Sequence, residues 1–479
     1  MKVLLFAVNG SYTHSNLAIR CLRRALLADG VSVELLESHL RERTSRMLRV
    51  LAETDADIVG FSCYIWNIEL MEQLAHDLHT LRPELTIVFG GPEVSFDTER
   101  YDGAPVPHYI ITGAGEHALV ALCHALAEGK RDLPRIHHGT DPDSMRDEGI
   151  LYSPSEALQG SIVYYESSRG CPYRCGYCLS CATTGVRMKS VEQTLSDLDA
   201  MESLHGIRIV KFVDRTFNAD PQRANAIWQA LRDERYTKTY HFEVCAGLLN
   251  EQSFAILAAL PAGKVQLEIG LQSTNPETLA AVSRHIDADA VLSAARRLTA
   301  LGNIHVHLDL IAGLPYESYD RFAESFDAAY PCCHLLQLGF LKLLRGTPLR
   351  RDAARYGIRY LQKPPYTVLQ THCLSYRELC RLSDIDAVLA RYRDGGRFAH
   401  SLYAVLGTLP SPFRFYEALA LHIEQAYARP VDKLSQPDAF RAFLDCAVAC
   451  GVDRTTLLPM LRLDFEACEH RKPPHWMEL

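Results

Sequence analysis

Ser168-Arg169-Gly170-Cys171-Pro172-Tyr173-Arg174-Cys175-Gly176-Tyr177-Cys178 places three cysteines within eight residues, three and then two residues apart. Glycine and proline interrupt the run, so it reads as a loop, and the alternating segment Ile162-Val163-Tyr164-Tyr165-Glu166 leads into it as a strand. Three thiolates on one short loop suit three irons of a cubane [4Fe–4S] cluster and leave the fourth iron without a protein ligand. An iron with an open position binds a substrate or cofactor, so the arrangement is catalytic more than an electron relay. The same spacing also fits zinc, with Cys181 close enough to complete a set of four.

Downstream, strands are predicted at residues 207–214, 240–246, 264–273, 305–315 and 335–344, with helical patterns between them. Six strands with the cysteine loop after the first predict a (β/α)6 partial barrel, whose chemistry belongs at the carboxyl ends of the strands. Asp214, Glu243, Gln272 and Gly313-Leu314-Pro315 then share the face that carries the cysteines. His305 and His307 point the same way along one strand, toward an active site or simply a polar lumen.

Upstream, residues 2–8, 31–36, 57–62, 85–92 and 109–113 read as strands, with helices at 16–27 and 71–81 between them. That alternation predicts a doubly wound, Rossmann-like parallel sheet with ligands beyond the carboxyl ends of its strands. Those ends are Asn9-Gly10-Ser11-Tyr12-Thr13-His14, Ser62-Cys63-Tyr64-Ile65-Trp66-Asn67, Gly90-Gly91-Pro92-Glu93 and Gly113-Ala114-Gly115-Glu116. Their glycines allow a large ligand close to the backbone. No Gly-x-Gly-x-x-Gly follows the first strand, which counts against a dinucleotide.

The chain has 479 residues, a net charge of −8 and fifteen cysteines. No export signal or membrane-length apolar run is evident, so the expected compartment is the cytoplasm, with free thiols and no membrane partner. The acidic balance argues against nucleic acid as a partner. Beyond Leu361-Gln362-Lys363-Pro364-Pro365 strand signals fade, and helices are predicted at 385–392, 413–427 and 439–450. Three domains follow: 1–150, 151–365, and a helical 366–479 joined by the Pro-Pro linker. Cys446 and Cys450 read as packed apolar side chains, and the tail from Cys468 to Trp476 as mobile.

Cys-x-x-x-Cys-x-x-Cys with Tyr177 before the last cysteine strongly resembles the radical S-adenosylmethionine (radical SAM) superfamily. The amino-terminal loops, with Gly90-Gly91-Pro92-Glu93 and then Gly113-Ala114-Gly115-Glu116, resemble the cobalamin-binding domain of cobalamin-dependent radical SAM proteins; Ala114 departs from the more usual Gly-Glu-Gly-Glu. The resemblance implies a [4Fe–4S] cluster on Cys171, Cys175 and Cys178, SAM on its open iron, and reductive cleavage of SAM to a 5′-deoxyadenosyl radical. It places Tyr177 and Gly313-Leu314 against adenine, Asp214 on the SAM amino group, Glu243 and Gln272 on ribose or methionine atoms, and Arg284 on the carboxylate. It places cobalamin on Asn9, Gly10, Ser11, Tyr12, Thr13, His14, Ser62, Tyr64, Trp66, Asn67, Gly90, Gly91, Glu93, Gly113, Gly115 and Glu116. The Asp-x-His-x-x-Gly loop of other cobalamin proteins is missing, and His14 is the first lower-ligand candidate. The implied activity is methyl transfer to an unactivated carbon of an unknown substrate, fed by an electron donor such as flavodoxin or ferredoxin. A radical cyclisation, rearrangement or redox outcome without methyl transfer is the alternative, and RNA modification a more distant one.

Overall fold

The computed structural model describes residues 1–141, 145, 149–153, 156, 162–182, 185–469 and 472–477, with only the backbone of 181–182. The chain opens with β1 (Lys2–Asn9), α1 (Leu17–Ala28), β2 (Ser32–His39), α2 (Thr44–Ala52), β3 (Ile58–Ser62) and α3 (Ile68–Leu81). β4 (Thr86–Gly90), β5 (Tyr109–Gly113), α4 (Glu116–Ala127) and β6 (Ile136–Gly139) complete the first layer. The six strands pair in parallel in the order β2-β1-β3-β4-β5-β6. Apolar clusters cover both faces of this sheet, which is why β1 and β3 are buried almost throughout. Asn16 starts α1 by accepting the Ile19 N–H on its side chain. β6 was not foreseen: it is short, half-buried and carries two adjacent histidines, so it lacks an apolar signature.

The second sheet begins with β7 (Ile162–Tyr165), then a small antiparallel ribbon of β8 (Ser168–Gly170) and β9 (Val186–Met188). This ribbon brackets the cysteine loop, which the sequence alone had shown only as a loop. α5 (Val191–Glu202), β10 (Ile209–Phe212), α6 (Pro221–Ala230), β11 (Thr239–Val244), α7 (Glu251–Ala258) and β12 (Val265–Gln272) follow. Then come α8 (Pro276–Ala281), α9 (Ala288–Ala300), β13 (His305–Ala312), α10 (Tyr319–Ala329) and β14 (Leu335–Phe340). The order β14-β13-β12-β11-β10-β7, all parallel, is the expected six-stranded radical SAM sheet. Burial alternates strictly along β12 and β13. The outer face (Leu267, Ile269, Val306, Leu308) is sealed under the helices, while the inner face (Gln266, Glu268, His305, His307, Asp309) is polar and half-buried.

α11 (Pro348–Arg351) leads to a hairpin of β15 (Arg359–Tyr360) and β16 (Val368–Gln370), and then the helices α12 (Tyr376–Leu389), α13 (Ala399–Leu406), α14 (Pro412–Tyr427), α15 (Gln436–Ala449) and α16 (Arg454–Cys468). The Pro364-Pro365 stretch is not a free linker: it lies inside this hairpin, and the next residue, Tyr366, is fully buried. The helices share one continuous core with the second sheet. Phe326 packs on Phe413, and the Tyr330 and Tyr416 hydroxyls lie 2.8 Å apart. The tail is docked where mobility had been expected: Trp476 lies over Arg441 and Met477 is buried. No helix among the described residues is long and apolar enough to cross a membrane.

Candidate functional site

Cys171, Cys175 and Cys178 line one cavity of about 800 Å³, open mouth included. Tyr173, Tyr177, Arg215, Thr216, Glu243, Cys245, Glu268, Gln272, Arg284 and Asp309 also face it. β8 delivers Cys171 to its position, and the Gly176 N–H donates to the Val282 carbonyl at 2.8 Å, tying the loop to α8. The donor set fits a cluster: three free thiols converge, and the Arg284 guanidinium stands 3.6 Å from the Cys175 sulfur, where it would oppose negative charge. Cys171 Sγ is 3.5 Å from the Thr216 hydroxyl. The side chain of Cys181 falls outside the described residues.

Arg284 also reaches the Tyr177 hydroxyl at 3.4 Å and donates to the Gly270 carbonyl. Gln272 takes a left-handed backbone, φ 72°, at an irregularity in the β12–β13 pairing, and its Oε1 is buried without a partner. A strained, unpartnered amide on a cavity wall is a group held ready for a ligand. Burial raises the Glu243 carboxyl, against the pull of Arg215. Burial, with the charges of Glu268 and Glu243, pushes Asp309 up to about 8. Burial works against the Glu268 carboxylate, yet the His241 hydrogen bond and Lys211 charge hold it down at about 2.

Three residues expected here are placed elsewhere. Asp214 is fully buried, accepting the Ser167 N–H at 2.8 Å and its hydroxyl at 2.5 Å, so its carboxylate is occupied below the cavity wall. Leu314 is fully buried in the core, and Gly313 lies against Val368. Conversely, Thr216, Cys245 and Asp309 were missed. Cys245 Sγ lies 3.1 Å from the Tyr173 hydroxyl. Cys245 and Thr216 lie beyond the ends of β11 and β10, and Asp309 lies within β13 on its inner face, so only position, not residue type, would have marked them.

The loops of the first sheet gather because β1, β3, β4 and β5 are neighbours. Asn9 anchors its own loop by donating to the His14 carbonyl at 3.1 Å, and Ser11 and Thr13 share a hydroxyl contact at 2.6 Å. Asn67 donates to the Val8 and Ser62 carbonyls, each at 3.0 Å, fastening the β3 loop to β1. Tyr64 and Trp66 stack at 4.4 Å with Trp66 exposed, and Tyr12 is exposed on the next loop. Gly91 has φ 117°, and a Cβ there would overlap the Cys63 carbonyl oxygen, so the two loops meet backbone to backbone. Exposed aromatics beside bare backbone fit a broad, partly apolar ligand.

Other residues at these strand ends pair with elements outside the first sheet: the β15–β16 hairpin, the β8–β9 ribbon and β7. Glu93 is buried, accepting the Tyr366 hydroxyl at 2.7 Å. Glu116 pairs at 3.0 Å with Arg169, two residues before Cys171, and Arg169 also holds Glu166 at 2.7 Å. His14 Nδ1 meets the Tyr164 hydroxyl at 2.7 Å. Gly10, Gly90, Gly113 and Gly115 lie in these loops, Gly113 with φ 73° against the Gly139 carbonyl.

The B12 binding domain family matches residues 3–123, the Radical SAM superfamily matches 165–329, and a family described as a protein of unknown function (DUF4080) matches 354–478. Among curated proteins, the cobalamin-dependent radical SAM methyltransferase TokK of Streptomyces tokunonensis is 25% identical over 351 residues, 65% of this chain and 51% of TokK. The hopanoid C-2 methylase of Rhodopseudomonas palustris is 27% identical over 351 residues, covering 70% of this chain and 63% of the methylase. The chain thus spans about half the length of TokK. TsrM from Kitasatospora setae, a radical S-adenosylmethionine methyltransferase solved with cobalamin and a [4Fe–4S] cluster bound, superposes with TM-score 0.66 at 16% identity, covering 88% of this chain and 98% of TsrM. OxsB, a cobalamin-dependent S-adenosylmethionine radical enzyme solved with aqua-cobalamin, gives TM-score 0.64 at 15% identity over 97% of this chain and 80% of its own. The chain therefore carries a B12-binding domain leading into a radical SAM domain, the combination that the resemblance to cobalamin-dependent radical SAM proteins implied.

Proposed function

We propose that this protein is a cobalamin-dependent radical SAM methyltransferase acting on an unactivated carbon of its substrate. The observation that carries the reading is the three thiols of Cys171, Cys175 and Cys178 on one cavity, with Arg284 beside them and the Gly-rich loops of the first sheet joined to the same loop through Arg169 and Glu116. Methyltransferases among the relatives, TokK and the hopanoid methylase, support the outcome. When bound, the cluster with SAM supplies a carbon radical, and cobalamin a transferable methyl group.

The residues of this chain do the rest. Arg284 presents its guanidinium to the SAM carboxylate, a planar anion it suits. Gln272 and Glu243 offer an acceptor and a carboxylate to the amino and ribose groups. Tyr177, half-buried on the same wall, supplies an apolar face for adenine. Trp66, Tyr64, Tyr12 and the Gly90-Gly91 backbone form the cobalamin platform, within a unit of residues 1–150, followed by 151–365 and 366–479. Among the described residues none beyond Asp309 lines the cavity, and the carboxyl-terminal helices brace the barrel through the core they share with it. The protein works in the cytoplasm, with electrons from a flavodoxin or ferredoxin.

Anaerobic incubation of the reconstituted protein with SAM and a reductant tests the reading. S-adenosylhomocysteine and methylcobalamin should form alongside 5′-deoxyadenosine; deoxyadenosine alone would favour a radical reaction without methyl transfer. Arg284→Ala should weaken SAM binding about 10- to 100-fold, the worth of one charge-assisted pair. Equilibrium binding of SAM checks this, and unchanged affinity with a lowered melting temperature would restrict Arg284 to propping Gly270 and Tyr177. Gly91→Ala should cut cobalamin affinity by about tenfold, because its Cβ would overlap the Cys63 carbonyl oxygen and push the two loops of the platform apart. Iron content should stay full, and cobalamin retained through gel filtration is the readout.

A further inference from the structure

The inner face of the second sheet holds a group of side chains that the reading above leaves unused. His241 on β11, Glu268 on β12 and His307 on β13 stand on three consecutive strands, with Glu268 and His307 directly paired in register. One ligand atom of each lies within 4.8 Å of those of the other two. His241 Nε2 and Glu268 Oε2 are 3.2 Å apart, close to the about 3.3 Å edge between ligands around a tetrahedral zinc. His241 is 4% exposed and its Nδ1 has no protein partner. Asp309 Oδ1, one step along β13, is likewise unpartnered, so the polar accounting of this face does not close within the protein.

We infer that His241, Glu268 and His307 form a site for a divalent transition-metal ion of the zinc class. Two imidazoles and a carboxylate are a ligand set that holds such an ion and leaves coordination positions open. Glu268 and Asp309 also line the cavity of the three cysteines, so the open positions face the space in which a substrate would lie. A substrate carboxylate or hydroxyl is the group that would complete the ion's shell; this last step alone rests on the proposed function.

One group opposes the ion. Lys211 Nζ is 3.3 Å from the same Glu268 oxygen that faces His241, and it occupies the cation's place beside the carboxylate. Its side chain is 31% exposed on a flexible stem, free to withdraw toward solvent when an ion enters. This competition gives the proposal a variant that should gain function, which unfolding cannot mimic.

The test uses the full chain with its cluster reconstituted and cobalamin bound, equilibrated with zinc chloride and then passed into metal-free buffer. Metal analysis should find about one zinc per chain beyond the cluster iron. His241→Ala and His307→Ala should each hold less than about a tenth of it, with cluster absorbance and iron content unaltered as the measure of folding. Lys211→Met should reach half-occupancy at about tenfold lower free zinc. No zinc retained by the wild type would overturn the proposal, as would zinc that survives both histidine substitutions and so binds elsewhere. SAM cleavage is read in the same samples, so failure of the metal site and failure of the radical SAM reading are told apart.

Discussion

Cys171→Ala, Cys175→Ala and Cys178→Ala should each lose the broad visible absorbance of a [4Fe–4S] cluster and all formation of 5′-deoxyadenosine. On the proposed function each thiolate would supply the only protein bond to one iron, and a cluster held through two cysteines would be labile to exchange and oxidation. Among the described side chains, no neighbour is placed to substitute. Thr216 stands 3.5 Å from Cys171, but a neutral hydroxyl is a poor iron ligand. Cys245 faces the same cavity on the far side of Tyr173, engaged with its hydroxyl. Iron analysis of anaerobically reconstituted protein and chromatography of the nucleoside product are the two measurements. Deoxyadenosine made by any of the three variants would sink the reading of this loop. Cys181→Ala and Cys245→Ala provide the contrast: each should keep its iron, and loss of a quarter or more from Cys181→Ala would make that residue a ligand.

How far the sequence carried the argument depended on whether a feature was local. The cysteine spacing is written within eight residues, and the alternating apolar pattern of β12 and β13 within eight each, so the cysteine loop and the sheet were legible. β6 and the β8–β9 ribbon were not, because strands of three or four residues with few apolar positions are too short to show a periodicity. Acids at strand ends were legible as acids and nothing more. Glu93, Glu116 and Asp214 all stood where ligands bind, but their partners Tyr366, Arg169 and Ser167 come from 273, 53 and 47 residues away. Periodicity cannot report such pairings. The Pro-Pro stretch misled for the same reason: its composition is that of a linker, whereas burial of Tyr366 against Glu93 and Arg345 folds it onto the first sheet.

These long-range pairs have a common consequence for the two cofactor regions. Glu116 begins α4, directly after the β5 loop, and Arg169 lies in β8, directly before Cys171. A half-buried ion pair therefore ties the start of α4 to the segment that leads into the cysteine loop. Arg20, buried and paired with Glu37 and Glu156, fixes the same junction from the α1 side.

Asp214→Ala should destabilise the protein by about 3–5 kcal/mol, the usual consequence of stripping a buried carboxylate from its partners. The residue is fully buried, and its two oxygens take the Ser167 N–H and hydroxyl. Arg223 completes the network by donating to the same hydroxyl at 2.9 Å, so alanine leaves a buried guanidinium without its counter-charge and an amide without an acceptor. At the size of this domain the apparent melting temperature should fall by about 10 °C. Asp214→Asn keeps the shape but turns a donor toward one of two donors, and should cost roughly half as much. Ser167 leads directly into β8 and Cys171, so both variants should also hold less cluster iron after reconstitution. The competing role, in which Asp214 receives the SAM amino group, predicts the reverse pattern: weakened SAM binding with melting temperature and iron intact. Calorimetry, iron analysis and SAM titration on the two variants separate these outcomes, and an unshifted melting temperature in Asp214→Ala would return the residue to the ligand.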